Sequence, residues 1–136
     1  MSDKKNSAEK GLGTTVVRSG RKTEEYFGFV NPPVYHGSTV LYPDVATLKS
    51  RKVRYTYGRR GNPTAEALED ALTELDGGAG TVLTSSGLAA IALAFMSVVR
   101  ANGHVLVADN VYHPTRHFCD TVLKPLGIET TYFDPL

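Results

Sequence analysis

Past residue 80, short apolar runs alternate with longer helical patterns, and this alternation constrains the fold more than any other feature of the chain. "TVLT" is a short β-type run, "GLAAIALAFM" is longer, "HVLVAD" is short, "HPTRHFCDTVLKPLG" is helical in pattern, and "IETTYF" is short again. Strand, helix, strand, helix, strand at this spacing predicts a parallel α/β sheet with right-handed crossovers. "HVLVAD" is apolar enough to be buried on both faces, as strands of covered parallel sheets are. The apolar helix from Leu88 to Val99 is likewise expected to be buried. Its apolar run is too short to span a bilayer, which takes about 18 apolar residues. Pro125 limits the far end of the next helix.

Upstream, Asn62 is a plausible N-cap and Pro63 a plausible first helical residue. Leu68, Ala71, Leu72 and Leu75 then share one helical face, and "DGGAG" supplies glycines for a left-handed end. Residues 1–60 show little periodicity and read as extended and looped backbone, an N-terminal arm that must lie against something else. Residues 61–136 read as the first part of an α/β domain. The chain stops directly after a strand with no helix to cover it, which points to the front part of a larger domain.

The 136 residues suit one ordinary domain, and 41% apolar with 21% charged residues is a globular composition. Cys119 is the one cysteine, so no intrachain disulfide can form and a reducing, cytoplasmic setting is expected. The polar start "MSDKKNSAEKGLG" has no apolar signal core. The net charge of +1 makes any basic character local.

That local character is concentrated in one place. Lys49, Arg51, Lys52, Arg54, Arg59 and Arg60 fall within twelve residues with no acid among them, and Tyr55 and Tyr57 are interleaved. Arginine's planar fork suits phosphate oxygens, so the stretch asks for an anion. Nucleic-acid binding, with tyrosines stacking on bases, is one reading, and a solvated loop is the other. The modest total charge and the acidic helix that follows weaken the nucleic-acid reading. The turn "LTSSGLAA" places Ser86 and Gly87 at a helix start, where free N–H groups favour anions; on these residues alone an ordinary tight strand–helix turn is the preferred reading. In "DNVYHPTR", Tyr112 follows the carboxyl end of a strand, where ligand crevices of α/β sheets lie, and can stack on a ring or pack on a neighbour. His113 and His117 stand four apart with Cys119 nearby. Cys119 points well round the helix from His117, and no further cluster completes a metal set, so structural histidines are preferred.

In order, "VNPPVYHGSTV", "YGRRGNPT", "ELDGGAG", "TSSGLAA" and "DNVYHPTRHFCD" resemble the N-terminal part of the pyridoxal-phosphate enzymes of cysteine and methionine metabolism. The resemblance runs from about Gly13 to Leu136. Glycine after Tyr57, "YHPTR" and "YFDPL" are most similar to the cystathionine β-lyase branch. The resemblance implies a fold-type I transferase-like α/β/α domain, cut short here, and pyridoxal 5'-phosphate as cofactor. It implies that Tyr57 and Arg59 reach across a dimer interface to the partner's cofactor phosphate. Ser86, Gly87 and Leu88 lie on the turn that holds the same phosphate, with backbone N–H groups at Gly87 and Leu88. Tyr112 matches the aromatic that stacks on the pyridine ring, and is the one catalytic-site residue carried over. A homodimer or homotetramer acting on a sulfur amino acid follows, with no nucleic-acid or membrane partner. The family's cofactor-binding lysine sits in a Ser-x-Thr-Lys type motif, and this chain contains no Thr-Lys dipeptide. The chain alone is therefore expected to lack lyase activity.

Overall fold

The computed structural model describes residues 11–136, so most of the polar N-terminal start lies outside the described residues. The elements in order are α1 (Leu12–Arg18), α2 (Val45–Ser50), α3 (Pro63–Asp76), α4 (Gly87–Val98), β1 (His104–Ala108), α5 (His113–Phe118) and β2 (Glu129–Phe133). They fall into two compact units, one ending at Val82 and one spanning Leu83–Leu136.

The first unit is built on α3. Asn62 caps it, its side chain accepting from the Ala65 N–H at 3.0 Å, and Pro63 occupies the first turn, where its missing N–H costs nothing. Gly77 ends it in the left-handed conformation, φ 66°. Of the face expected to be covered, only Ala71 is packed upon, and its leucines are not. Leu68, Leu72 and Leu75 are 50, 40 and 38% exposed, whereas Ala67 is buried. The reason is steric. Gly20, at φ 70°, brings backbone against α3 so closely that a Cβ there would sit 2.2 Å from the Ala67 carbonyl oxygen. Only the small-residue side of α3 admits that approach. Lys22 then pairs with Glu66 at 3.0 Å and Asp70 at 2.6 Å, fastening the segment after α1 along the helix.

The stretch before α3 is less uniformly extended than its composition predicts. Asp44 accepts from the Thr47 N–H at 2.6 Å and starts α2, which ends at Arg51 with φ 53°. A local cap is enough to nucleate six helical residues there. Phe27, Val34 and Leu41 remain almost wholly exposed.

In the second unit β1 and β2 pair in parallel, from His104 opposite Glu129 to Ala108 opposite Phe133. The sheet has two strands among the described residues, and residues 81–84 form no ladder, which corrects the expected first strand. A strand is a property of a pair, and "TVLT" has no paired neighbour here. The crossover from β1 to β2 uses α5, then a wide π turn over Cys119–Leu123, then a tight 3₁₀ turn over Lys124–Leu126. Pro125 cannot donate to a helical ladder, so the regular helix does not run through it. Gly127 closes the crossover at φ 76°, and the Ile128 N–H reaches back to the Leu123 carbonyl at 3.1 Å.

Val107, Cys119, Leu123 and Ile128 form the core of this unit, with Phe95, Phe118 and Tyr132 packed around it. The Phe95 and Phe118 rings stack with centroids 6.1 Å apart. The sheet is covered on one side only. Val107 is buried while Leu106 beside it is 67% exposed, against the expectation of burial on both faces. The apolar helix α4 has no fully buried residue, and Met96 and Val98 face outward. No helix among the described residues is long and apolar enough to cross a membrane.

Candidate active site

In the first unit, the expected phosphate-reaching residues sit on one tight turn. The Arg60 N–H reaches the Tyr57 carbonyl at 2.9 Å and closes it. The Gly58 N–H bonds the Ser38 carbonyl at 2.8 Å. A Cβ on Gly58 would lie 2.2 Å from the Gly37 carbonyl oxygen, so this position needs glycine for room, not for an unusual φ. Asn62 Nδ2 donates to the Gly58 carbonyl at 3.2 Å. Tyr57 is 44% exposed and borders a cleft of about 200 Å³ with Tyr42, Arg51, Thr56 and Arg60. Arg59 is exposed and makes no ion pair or hydrogen bond among the described residues.

Arg54, in the same basic run, is engaged differently. It pairs with Glu25 at 2.6 Å and donates through Nε to Glu66 at 3.1 Å. The Tyr55 hydroxyl also donates to Glu66. Arg54 first, then Tyr55 and Lys22, hold the Glu66 carboxyl at about 2, well below its ordinary range. Burial, with help from Glu66, pushes Tyr55 up to about 12. The basic run is thus broken by a neutralised arginine, a division its linear sequence does not reveal.

In the second unit, Ser86 caps α4, its Oγ accepting from the Ala89 N–H at 3.2 Å. Thr84 Oγ1 donates to the Ser86 carbonyl at 3.0 Å and tightens the turn. The N–H groups of Gly87 and Leu88 have no partner among the described residues, and a Cβ on Gly87 would meet nothing within 4 Å. Two amide donors at the positive end of a helix are therefore left without a partner among the described residues. Tyr112 lies at the start of α5, 66% exposed, on an apolar cleft of about 470 Å³ with Ile91, Phe95 and Thr115.

Arg116 is a participant that sequence reasoning missed. It pairs with Asp109, donates to the Asp109 carbonyl at 3.1 Å, and stacks 3.8 Å above the Tyr132 ring. The Asp109 pairing raises its pKa. This clamp fixes the ends of the loop that carries Tyr112. Its signal was present in "DNVYHPTR", where an acid at the strand end precedes an arginine on the next helix. His113 and His117 are exposed while Cys119 is buried, and no group of three or more potential ligands gathers among the described residues. Burial pushes the Cys119 thiol up, as expected of an inert core cysteine.

The second unit thus joins a parallel β1–α5–β2 crossover to α4, whose first amides have no partner among the described residues. Residues 13–136 match the model of the Cys/Met metabolism PLP-dependent enzyme family, and the chain belongs to that family. It is 50% identical over 125 residues to a putative cystathionine beta-lyase of Rhizobium johnstonii, covering 92% of this chain and 32% of that protein. It is 46% identical over 135 residues to a putative cystathionine beta-lyase of Saccharomyces cerevisiae, covering 99% of this chain and 39% of the relative. Among solved structures, a cystathionine gamma-lyase from Lactobacillus plantarum complexed with L-serine superposes with a TM-score of 0.82 at 30% identity, over 92% of this chain and 31% of that one. The chain thus spans about a third of the length of the relatives it matches. Its fold is the N-terminal portion of the α/β fold of PLP-dependent enzymes.

Proposed function

We propose that these residues form part of the pyridoxal-phosphate site of a carbon–sulfur lyase that cleaves cystathionine to homocysteine, pyruvate and ammonia. The observation that carries the reading is the pair of N–H groups at Gly87 and Leu88 that have no partner among the described residues, beside a glycine with room for an approaching group. A phosphate ester carries about −1.5 to −2 charges, and a helix start offers only about half a positive one. Arg59, without a carboxylate partner among the described residues, supplies the missing charge, and the Tyr57 hydroxyl supplies another donor. The residues present therefore fit the cofactor's phosphate. Tyr112 offers an accessible ring to stack on the pyridine. When bound, the cofactor supplies the electron sink for cleavage. Tyr57 and Arg59 act from one protomer on the phosphate held by Ser86, Gly87 and Leu88 of its partner, in a homodimer or homotetramer in the cytoplasm. These 136 residues contain no Thr-Lys to match the family's covalent lysine, so alone they bind without cleaving.

Titration with pyridoxal 5'-phosphate tests the reading. A hydrogen bond to a charged group contributes about 1.5 to 3 kcal/mol, so Arg59→Ala is expected to weaken binding about ten- to 150-fold. Unchanged binding refutes the role. Mixing Arg59→Ala with Gly87→Pro chains should restore binding in mixed dimers, and failure to do so removes the shared site. The likeness to a gamma-lyase supports a second reading, γ-cleavage of the same substrate class. In an enzyme that also carries the covalent lysine, pyruvate as the keto-acid product supports β-cleavage, and 2-oxobutyrate supports the alternative.

A further inference from the structure

We propose that Asn62 is a positioning residue for phosphate capture, its one side chain joining the start of α3 to the turn that carries Tyr57 and Arg59. The inference rests on the reading that these two side chains reach a phosphate. Asn62 Oδ1 accepts from the Ala65 N–H at 3.0 Å, and Nδ2 donates to the Gly58 carbonyl at 3.2 Å. The two partners fix the amide's orientation, because an N–H needs the oxygen and a carbonyl needs the nitrogen. Among the favoured cap residues Ser, Thr, Asp and Asn, only Asn offers a carbonyl oxygen and an NH₂ together.

The peptide it holds lies between Tyr57 and Arg59. That same glycine is held from the other side by the Ser38 carbonyl at 2.8 Å. One helical turn beyond Asn62, Glu66 accepts from Tyr55 and Arg54, so the segment just before the turn is tied to α3 as well. Tyr57 and Arg59 therefore project from backbone fixed on both sides, although their side chains are exposed. A donor pre-set in this way loses less freedom on meeting its anion than one on a free loop. Asn62 touches neither ligand nor reacting atom; it acts through Arg59 and Tyr57.

Asn62→Asp separates the two bonds. Aspartate caps a helix as well as asparagine does, and its charge suits a helix start, so α3 keeps its cap. It has no donor for the Gly58 carbonyl. The oligomeric protein is titrated with pyridoxal 5'-phosphate and with pyridoxal, which has the ring and no phosphate, and Arg59→Ala is measured alongside. Asn62→Asp, and Asn62→Ser, which caps α3 without adding a charge that would itself repel phosphate, are each expected to bind pyridoxal 5'-phosphate about two- to ten-fold more weakly, the range of one neutral hydrogen bond; a loss confined to Asn62→Asp overturns the positioning role. Pyridoxal affinity and the thermal midpoint should hold. Matching losses for both ligands, with or without a lowered midpoint, indicate a merely structural role and overturn the proposal. Weakened Arg59→Ala beside unaffected Asn62→Asp overturns the positioning role alone. Unaffected Arg59→Ala, or an unsubstituted protein that ignores the phosphate, overturns the phosphate reading and this inference with it.

Discussion

Replacing Glu66 by Gln removes one negative charge from a point where Lys22, Arg54 and Tyr55 converge. The carboxyl, ordinarily near 4.5, is held at about 2 by Arg54 first, then by Tyr55 and Lys22. Fully realised, that displacement corresponds to about 3 kcal/mol of stability. Solvent reduces it. The Arg54 side chain is 47% exposed and that of Glu66 is 27% exposed, and surface ion pairs contribute about 0 to 1 kcal/mol each. We expect about 1 to 2 kcal/mol for the whole cluster. The sign follows from linkage: a carboxyl depressed in the folded state stabilises fully above its unfolded pKa. That contribution is lost as pH falls from about 4.5 through about 2. Urea unfolding of wild type and Glu66→Gln, followed by circular dichroism from pH 7 to pH 2, measures the difference directly. Other carboxylates titrate in both proteins and cancel. The gap should be widest at neutral pH, close across the acid window, and narrow when salt is added. A gap that stays constant down to pH 2 refutes the electrostatic account and leaves only a packing difference.

Gly58→Ala should displace the turn from residues 37–38, because the new methyl would meet the Gly37 carbonyl at 2.2 Å; calorimetry should register a loss of about 1 to 3 kcal/mol. Leu123 is fully buried at the centre of the second unit, and Leu123→Ala should cost about 2 to 5 kcal/mol by denaturant titration. Cys119 is 1% exposed with its thiol pushed up by burial, so a disulfide-exchange reagent should label it far more slowly in the native protein than in urea. Immediate native labelling would contradict the packing described for that core.

Several elements were legible in the sequence because their signals are local. Asn62 and Pro63 start α3, and Gly77 ends it, since capping and left-handed closure involve groups within a few residues. Ser86 opens α4 for the same reason. "HVLVA" and "ETTYF" became the strands expected. The site residues were legible mainly through motif resemblance. Geometry added what the resemblance did not carry: amides at Gly87 and Leu88 without partners among the described residues, the two hydrogen bonds of the Asn62 side chain, and the Arg116 clamp.

Other features depend on contacts between distant residues, which no local pattern encodes. "TVLT" has the composition of a strand and forms no ladder, because pairing requires a neighbour. Leu68, Leu72 and Leu75 have the periodicity of a core face and stay exposed, because Gly20 approaches α3 on its alanine side. Arg54 and Arg59 look alike in a basic run, yet one is neutralised by Glu25 and Glu66 and the other has no ion-pair partner among the described residues. By itself the sequence determined where helices begin and end and which residue types are available for a phosphate. Tertiary structure decided which faces are covered and which charges remain unpaired. The division is physical: caps and turns act over a few bonds, whereas burial and ion pairing depend on what the folded chain brings close.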